Sequence, residues 1–202
     1  MSMPSPSHLS PLALSALALL AEAPMHPYEM FQLAVQRRDQ RLVKIKPGTL
    51  YHAVARLEKD GLIRVRGVER DGKRPERTTY EITDDGRENL RRDIAALLAE
   101  PAQEYPTFPF AVSEAHNLPA DQVTDLLDQR LSVLRGNLAE IDDGIAAVGA
   151  KDLPWAYWLH LEYLRHQYLA QIHWIESALA DIAAGRFHVP ADFAATKQNE
   201  NT

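Results

Sequence analysis

Apolar and polar positions follow a helical period along most of this chain, and the period changes once. Residues 9–20, LSPLALSALALL, are apolar on nearly every side, which predicts a buried helix around Ala13, Leu14, Leu17, Leu20 and Ala21. Pro24 ends it. Pro27 opens a second helix running to about Arg38, with Tyr28, Phe31 and Val35 as its apolar stripe, since proline suits a first helical position. Pro47 opens a third, running to Lys59, whose apolar face is Leu50, Val54 and Leu57, with Gly61 as its stop. The pattern then alternates: Ile63 and Val65 point one way, Arg64 and Arg66 the other, as in a half-buried strand. Asp71-Gly72 is a hairpin turn pair, and Thr78 to Ile82 make the return strand. Thr83 suits an N-cap, followed by Asp84 and Asp85 and by a stripe of Leu90, Ile94, Leu97 and Leu98.

Pro101, Pro106 and Pro109 interrupt the helical pattern and place a domain boundary at about residue 100. After a short apolar piece (108–115), Leu127, Leu131, Leu134, Leu138, Ile141, Ile145 and Val148 step alternately by four and three residues, as a coiled-coil seam does. Beyond a break from Gly149 to Pro154, a second seam carries Leu161, Leu164, Tyr168, Ile172, Ile175, Leu179 and Ile182. Two such helices with a short connection form an antiparallel hairpin. Their stripes exceed what two helices hide from each other, so further helices should cover them. The expected fold is mainly α with a small β-hairpin wing: a winged helix-turn-helix over 1–100, a long-helix domain over 101–187 and a disordered tail over 188–202.

Composition changes this picture only where it is uneven. With 202 residues, 46% hydrophobic and 25% charged, the chain is that of a folded protein. It has no cysteine, which excludes disulfide scaffolds, zinc ribbons, iron–sulfur sites and thiol catalysis. Residues 9–20 mimic a signal-peptide core, but no Lys or Arg precedes Arg37. The run is also shorter than the roughly 20 residues a membrane span takes. It reads as a core helix of a cytoplasmic protein. The formal charge of −6 argues against a nucleic-acid partner until it is divided. Residues 1–100 carry 16 basic and 14 acidic side chains, and residues 101–202 carry 6 and 14. Within residues 36–78 there are 13 basic and 6 acidic side chains, an excess of +7.

That excess falls where a winged helix-turn-helix meets DNA. Away from the apolar face of the third helix lie Thr49, His52, Arg56 and Lys59, spaced to share one polar face. Such side chains donate to base edges and phosphates, and arginine grips guanine through two bonds. Lys44 and Lys46 precede the helix, and its start, Pro47-Gly48-Thr49, presents free N–H groups to a phosphate. Arg70, Lys73 and Arg74 flank the hairpin turn, within reach of phosphate or minor groove.

Lys46-Pro47-Gly48-Thr49-Leu50-Tyr51, continued by Leu57-Glu58-Lys59-Asp60-Gly61-Leu62-Ile63, resembles the recognition-helix signature of PadR-family transcriptional regulators. His26-Pro27-Tyr28-Glu29-Met30 stands where that family has a Gly-Tyr-Glu-aliphatic motif, Pro27 replacing the common glycine. Arg74-Pro75-Glu76-Arg77, Tyr80 to Thr83 and Gly86 resemble its wing, return strand and fourth-helix start. The motifs cover about Leu9 to Leu98, and beyond them only the two-long-helix plan is similar. The resemblance implies a homodimeric regulator, usually a repressor, that binds a pseudo-palindromic operator in double-stranded DNA and is often controlled by a small molecule. It implies dimerisation through the C-terminal helices with the first helix. It also implies Thr49 and Tyr51 as helix contacts to DNA, with Lys73 and Arg74 as wing contacts. His52 and Arg56 are added on helical phase. Tyr51 borders the apolar face, so packing fits it as well as DNA contact.

Other features weigh less. Trp155, Trp158 and Trp174 fall in the last helical stretch with Tyr163, and suit either a dimer core or a pocket for a flat aromatic effector. His160, His166 and His173 lie there too; Glu162 and His166 have the spacing of two metal ligands, but no third is evident, and no cofactor or metal is expected. Nucleotide-binding and nucleophile-elbow motifs are missing from the sequence, which argues against an enzyme. The alternative to a regulator is a winged-helix protein-interaction scaffold that does not read DNA.

Overall fold

A computed structural model of the chain describes residues 8–69 and 77–188. The chain divides into two compact units, residues 1–104 and 105–202.

The first unit is built around α1 (Pro11–Glu22), whose N-cap Ser10 accepts a hydrogen bond from the Ala13 N–H at 3.3 Å. Ala16 and Leu17 on α1 are fully buried, as the all-round apolar pattern requires. Helices α2 (Pro27–Gln36) and α3 (Pro47–Lys59) follow, separated by a single 3-10 turn at Asp39–Arg41. Leu50, Val54 and Leu57 of α3 are buried in the core. Strands β1 (Ile63–Glu69) and β2 (Arg77–Ile82) pair antiparallel from Ile63↔Ile82 to Glu69↔Arg77, with an irregularity between Val65 and Gly67. Met25 adds a backbone bridge to Tyr80, donating and accepting at 3.1 and 3.2 Å. Helix α4 (Asp84–Ala99) closes the unit, capped by the Thr83 hydroxyl on the Gly86 N–H.

The corner after α3 fixes how the hairpin leaves the core. Gly61 takes φ 75°, where an L side chain is strained. The Leu62 N–H returns to the Leu57 carbonyl at 2.9 Å and the Gly61 N–H to Glu58 at 3.0 Å, a Schellman ending. Thr83 then holds this corner twice, its N–H donating to Leu62 O and its hydroxyl to Gly61 O. The first turn of α4 lies so close that a Cβ on Gly86 would stand 2.0 Å from Leu62 O.

The structure departs from the apolar stripes in three places of this unit. On α2 the buried residues are Pro27, Met30 and Ala34; Phe31 packs against the core, whereas Tyr28 and Val35 are exposed. On α4 only Leu90 of the stripe is buried, with Asp93 beside it; Ile94, Leu97 and Leu98 are exposed. On β1, Ile63 is buried but Val65 is exposed. Asp93 has no accessible surface. Its carboxylate accepts from the Leu9 N–H at 2.8 Å and from Arg92 at 3.1 and 3.2 Å, with His8 at 3.7 Å. Burial pushes this carboxyl up, but the Leu9 bond and Arg92 outweigh it and hold it below the usual carboxylate range.

In the second unit, α6 (Ala120–Gly149) and α7 (Leu159–Ala183) form an antiparallel hairpin preceded by α5 (Thr107–Ser113). Val123, Leu127, Leu131 and Leu134 meet Ile172 and Ile175 in its core. Arg135–Glu176 and Arg165–Asp142, each 2.7 Å, tie the helices at the surface. Phe108 of α5 packs against them, with the Arg130 guanidinium 3.6 Å from its ring centre and Trp174 edge-on at 5.9 Å. The tryptophans do not all lie in the last helix. Pro154 leads into a 3-10 turn at Trp155–Tyr157, Trp158 is the residue before α7, and Trp174 alone lies within it. The expected tail at 188–202 falls outside the described residues except for His188. Among the described residues no helix is long and apolar enough to cross a membrane.

Candidate nucleic-acid interface

Burial of Leu50, Val54 and Leu57 turns the opposite face of α3 outward, and Thr49, His52, Arg56 and Lys59 on that face are all exposed. Just before the helix, Ile45 is buried in the core while Lys44 and Lys46 are exposed on either side of it. Extended backbone alternates its side chains, so anchoring Ile45 directs both lysines out. The Thr49 hydroxyl donates to the Lys46 carbonyl at 2.9 Å and accepts from the Lys46 N–H at 3.3 Å. It must leave that carbonyl before it can donate to a phosphate. Arg56 stands 3.7 Å from Asp60 across one turn. Such an exposed pair is worth about 0–1 kcal/mol, so a base or phosphate exchanges for it at little cost.

Tyr51 lies between the two faces, 44% exposed. Its ring meets His26 edge-on, with centroids 6.0 Å apart. His26 is a contact that the apolar pattern does not reveal; the one sequence signal is Glu29 three residues on, the spacing of a capping box. Arg77, named above only within the wing motif, is exposed at the start of β2, and after burial it adds to what disfavours protonation of His26.

The basic excess is smaller in space than along the chain. Arg37 pairs with Glu22 at 2.5 and 2.7 Å and draws the Glu22 carboxyl below its ordinary range. Arg64 and Arg66 both face Glu81, at 2.7 and 3.9 Å. Glu22 and Glu81 lie outside residues 36–78, so a count within that segment misses them. Arg70, Lys73 and Arg74, with the Asp71-Gly72 turn, lie outside the described residues.

In the second unit, Trp155 donates to Glu162 at 2.9 Å, Trp158 to the Leu153 carbonyl at 3.1 Å, and Tyr163 accepts from Gln167 at 2.7 Å. Trp174 sits on Phe108, about 24 Å along the helix from Trp158 at 1.5 Å per residue. One copy of this unit therefore does not gather the four around one small ligand. His166 Nδ1 is 2.7 Å from the Glu162 carbonyl, and the Glu162 carboxylate is engaged by Trp155. Among the described residues, no three His, Asp or Glu side chains are grouped to hold a metal ion.

Residues 16–92 match the sequence profile of the transcriptional regulator PadR-like family. The search of curated proteins returned no match. Among solved structures, the chain is similar to Bacillus subtilis PadR in complex with operator DNA, with 20% identity and a TM-score of 0.74, over 87% of this chain and 99% of that one. It is also similar to B. subtilis PadR in complex with p-coumaric acid (18% identity, 87% and 98% covered, TM-score 0.69). A third is the PadR-like regulator BC1756 from Bacillus cereus (15% identity, 86% and 99% covered, TM-score 0.63). These likenesses run through both units and show a shared fold. Residues 16–92 thus carry a PadR-like domain, and the chain as a whole shares the fold of these regulators.

Proposed function

We propose that the protein is a homodimeric, sequence-specific DNA-binding repressor acting on a pseudo-palindromic operator and released by a small aromatic molecule. The observation that carries this reading is the face of α3: three buried leucine and valine side chains on one side, and Thr49, His52, Arg56 and Lys59 exposed on the other. Lys44, Lys46, Tyr51 and Arg77 extend that face, and Arg70, Lys73 and Arg74 are assigned as further contacts to DNA. Arg56 is assigned to a base edge and the lysines to phosphates.

Exposed apolar side chains support a second copy as partner. Ile94, Leu97 and Leu98 on α4 lack cover within the first unit, and Leu126, Val133 and Tyr163 lack it within the second. A two-fold dimer sets its recognition helices about 34 Å, one DNA turn, apart. The net negative charge of residues 101–202 disfavours approach of DNA to that half. Release by an effector is supported by the structurally similar protein solved in complex with p-coumaric acid.

Footprinting on the DNA upstream of its own coding sequence tests the reading. Two protected half-sites one turn apart are expected, with affinity falling steeply as salt rises, because bound lysines and arginines release counterions. Absence of protection at low salt, or binding indifferent to salt, would refute it.

A further inference from the structure

We propose that His26 is a positioning residue for DNA reading, its ring holding Tyr51 on the exposed border of α3. The proposal rests on the DNA-binding reading above. His26 belongs to a motif of α2 that the recognition face itself does not use. Its backbone N–H donates to the Glu29 carboxylate at 2.9 Å, and its Nδ1 accepts from the Tyr28 N–H at 3.0 Å. An accepting Nδ1 places the proton on Nε2 and keeps the imidazole neutral. Burial and Arg77 act in the same direction against the opposing pull of Glu29.

The Nδ1 bond fixes the ring, and the Glu29 bond fixes the backbone that carries it. Rotating it would break the Tyr28 bond and uncap α2. Tyr51 meets the fixed ring edge-on, at an interplanar angle of 74°. A tyrosine 44% exposed at a helix surface otherwise samples several rotamers, and ordering it on DNA would cost affinity. The contact removes that freedom before DNA arrives. It also joins the start of α2 to α3, so the two helices present Tyr51 as one piece.

The test separates cap from ring. Asparagine at 26 keeps a capping oxygen and loses the ring; phenylalanine keeps an edge for Tyr51 and loses the cap. Affinity is read by fluorescence anisotropy of a labelled duplex recovered from a random library by selection with the wild-type protein, and folding by thermal melting. His26→Asn should weaken binding roughly three- to tenfold, the range for immobilising one freed side chain on DNA, while its melting temperature falls by no more than the loss of one aromatic pair. His26→Phe should bind close to wild type while melting lower. On a Tyr51→Ala background, His26→Asn should cause no further loss. Wild-type affinity in His26→Asn overturns the proposal. So does a loss that persists without Tyr51, which would make His26 a direct contact. If selection recovers no duplex and the wild type binds no DNA at low salt, the DNA reading itself fails and takes the proposal with it.

Discussion

Replacing Asp93 with alanine removes the one buried charged side chain among the described residues. The carboxylate accepts the Leu9 N–H at 2.8 Å just before α1, and α1 is the helix around which the first unit packs. A hydrogen bond to a charged group contributes about 1.5–3 kcal/mol net. The Arg92 pair, its guanidinium half exposed, adds at most about 1 kcal/mol. The loss expected for Asp93→Ala is therefore about 1.5–4 kcal/mol. For a domain of this size that lowers the melting temperature by about 4–8 °C for each kcal/mol lost. Asp93→Asn keeps an acceptor for Leu9 without the charge and should fall between. The carboxyl titrates below its unfolded value, so its stabilisation is complete above about pH 4 and is lost as pH falls through the folded value. Circular-dichroism melts across pH, with hydrogen exchange at the first turn of α1, measure both effects. An alanine variant that melts with the wild type at neutral pH would refute the reasoning. So would a gap between the two that stays constant into strong acid.

Further expectations concern backbone, base and phosphate. Gly86→Ala would press a methyl group against Leu62 O, and should cost about 4 kcal/mol or more, visible as loss of the cooperative melt of the first unit. Arg56→Ala should change preference between DNA sites by about 1–3 kcal/mol at one base pair, measured by binding to a set of singly altered duplexes. Arg74→Ala should weaken binding to all duplexes alike and reduce the salt slope by about one. For His26 the folded-state value is depressed, so the stability it contributes is complete above about pH 6.5 and is lost as pH falls below that. His26→Asn should therefore flatten the melting temperature between neutral and mildly acid pH.

Strong local signals were legible because the residues concerned answer to their neighbours in sequence. Pro47 and Gly61 bracket α3, and its buried residues are the three that the spacing of Leu50, Val54 and Leu57 names. Thr83 caps α4 as its chemistry suggests, and the seams of α6 and α7 face each other over Leu127, Leu131, Leu134, Ile172 and Ile175. On α2 two stripes compete in the sequence, Tyr28 with Phe31 and Val35 against Pro27 with Met30, Phe31 and Ala34, and only packing against the core decides for the second. The buried role of Asp93 was not legible, because it depends on a backbone N–H 84 positions earlier.

By itself, then, the sequence determined where the helices start and stop, which face of α3 is polar, and that basic charge concentrates in residues 36–78. Each of these depends on residues within a turn or a strand of one another. Only the tertiary structure decided which of those charges stay available, since Glu22 and Glu81 reach arginines from other elements. It alone set His26 against Tyr51 and brought Gly86 onto Leu62. Such contacts join residues that no local periodicity relates, and they exist only once the core around α1 has closed.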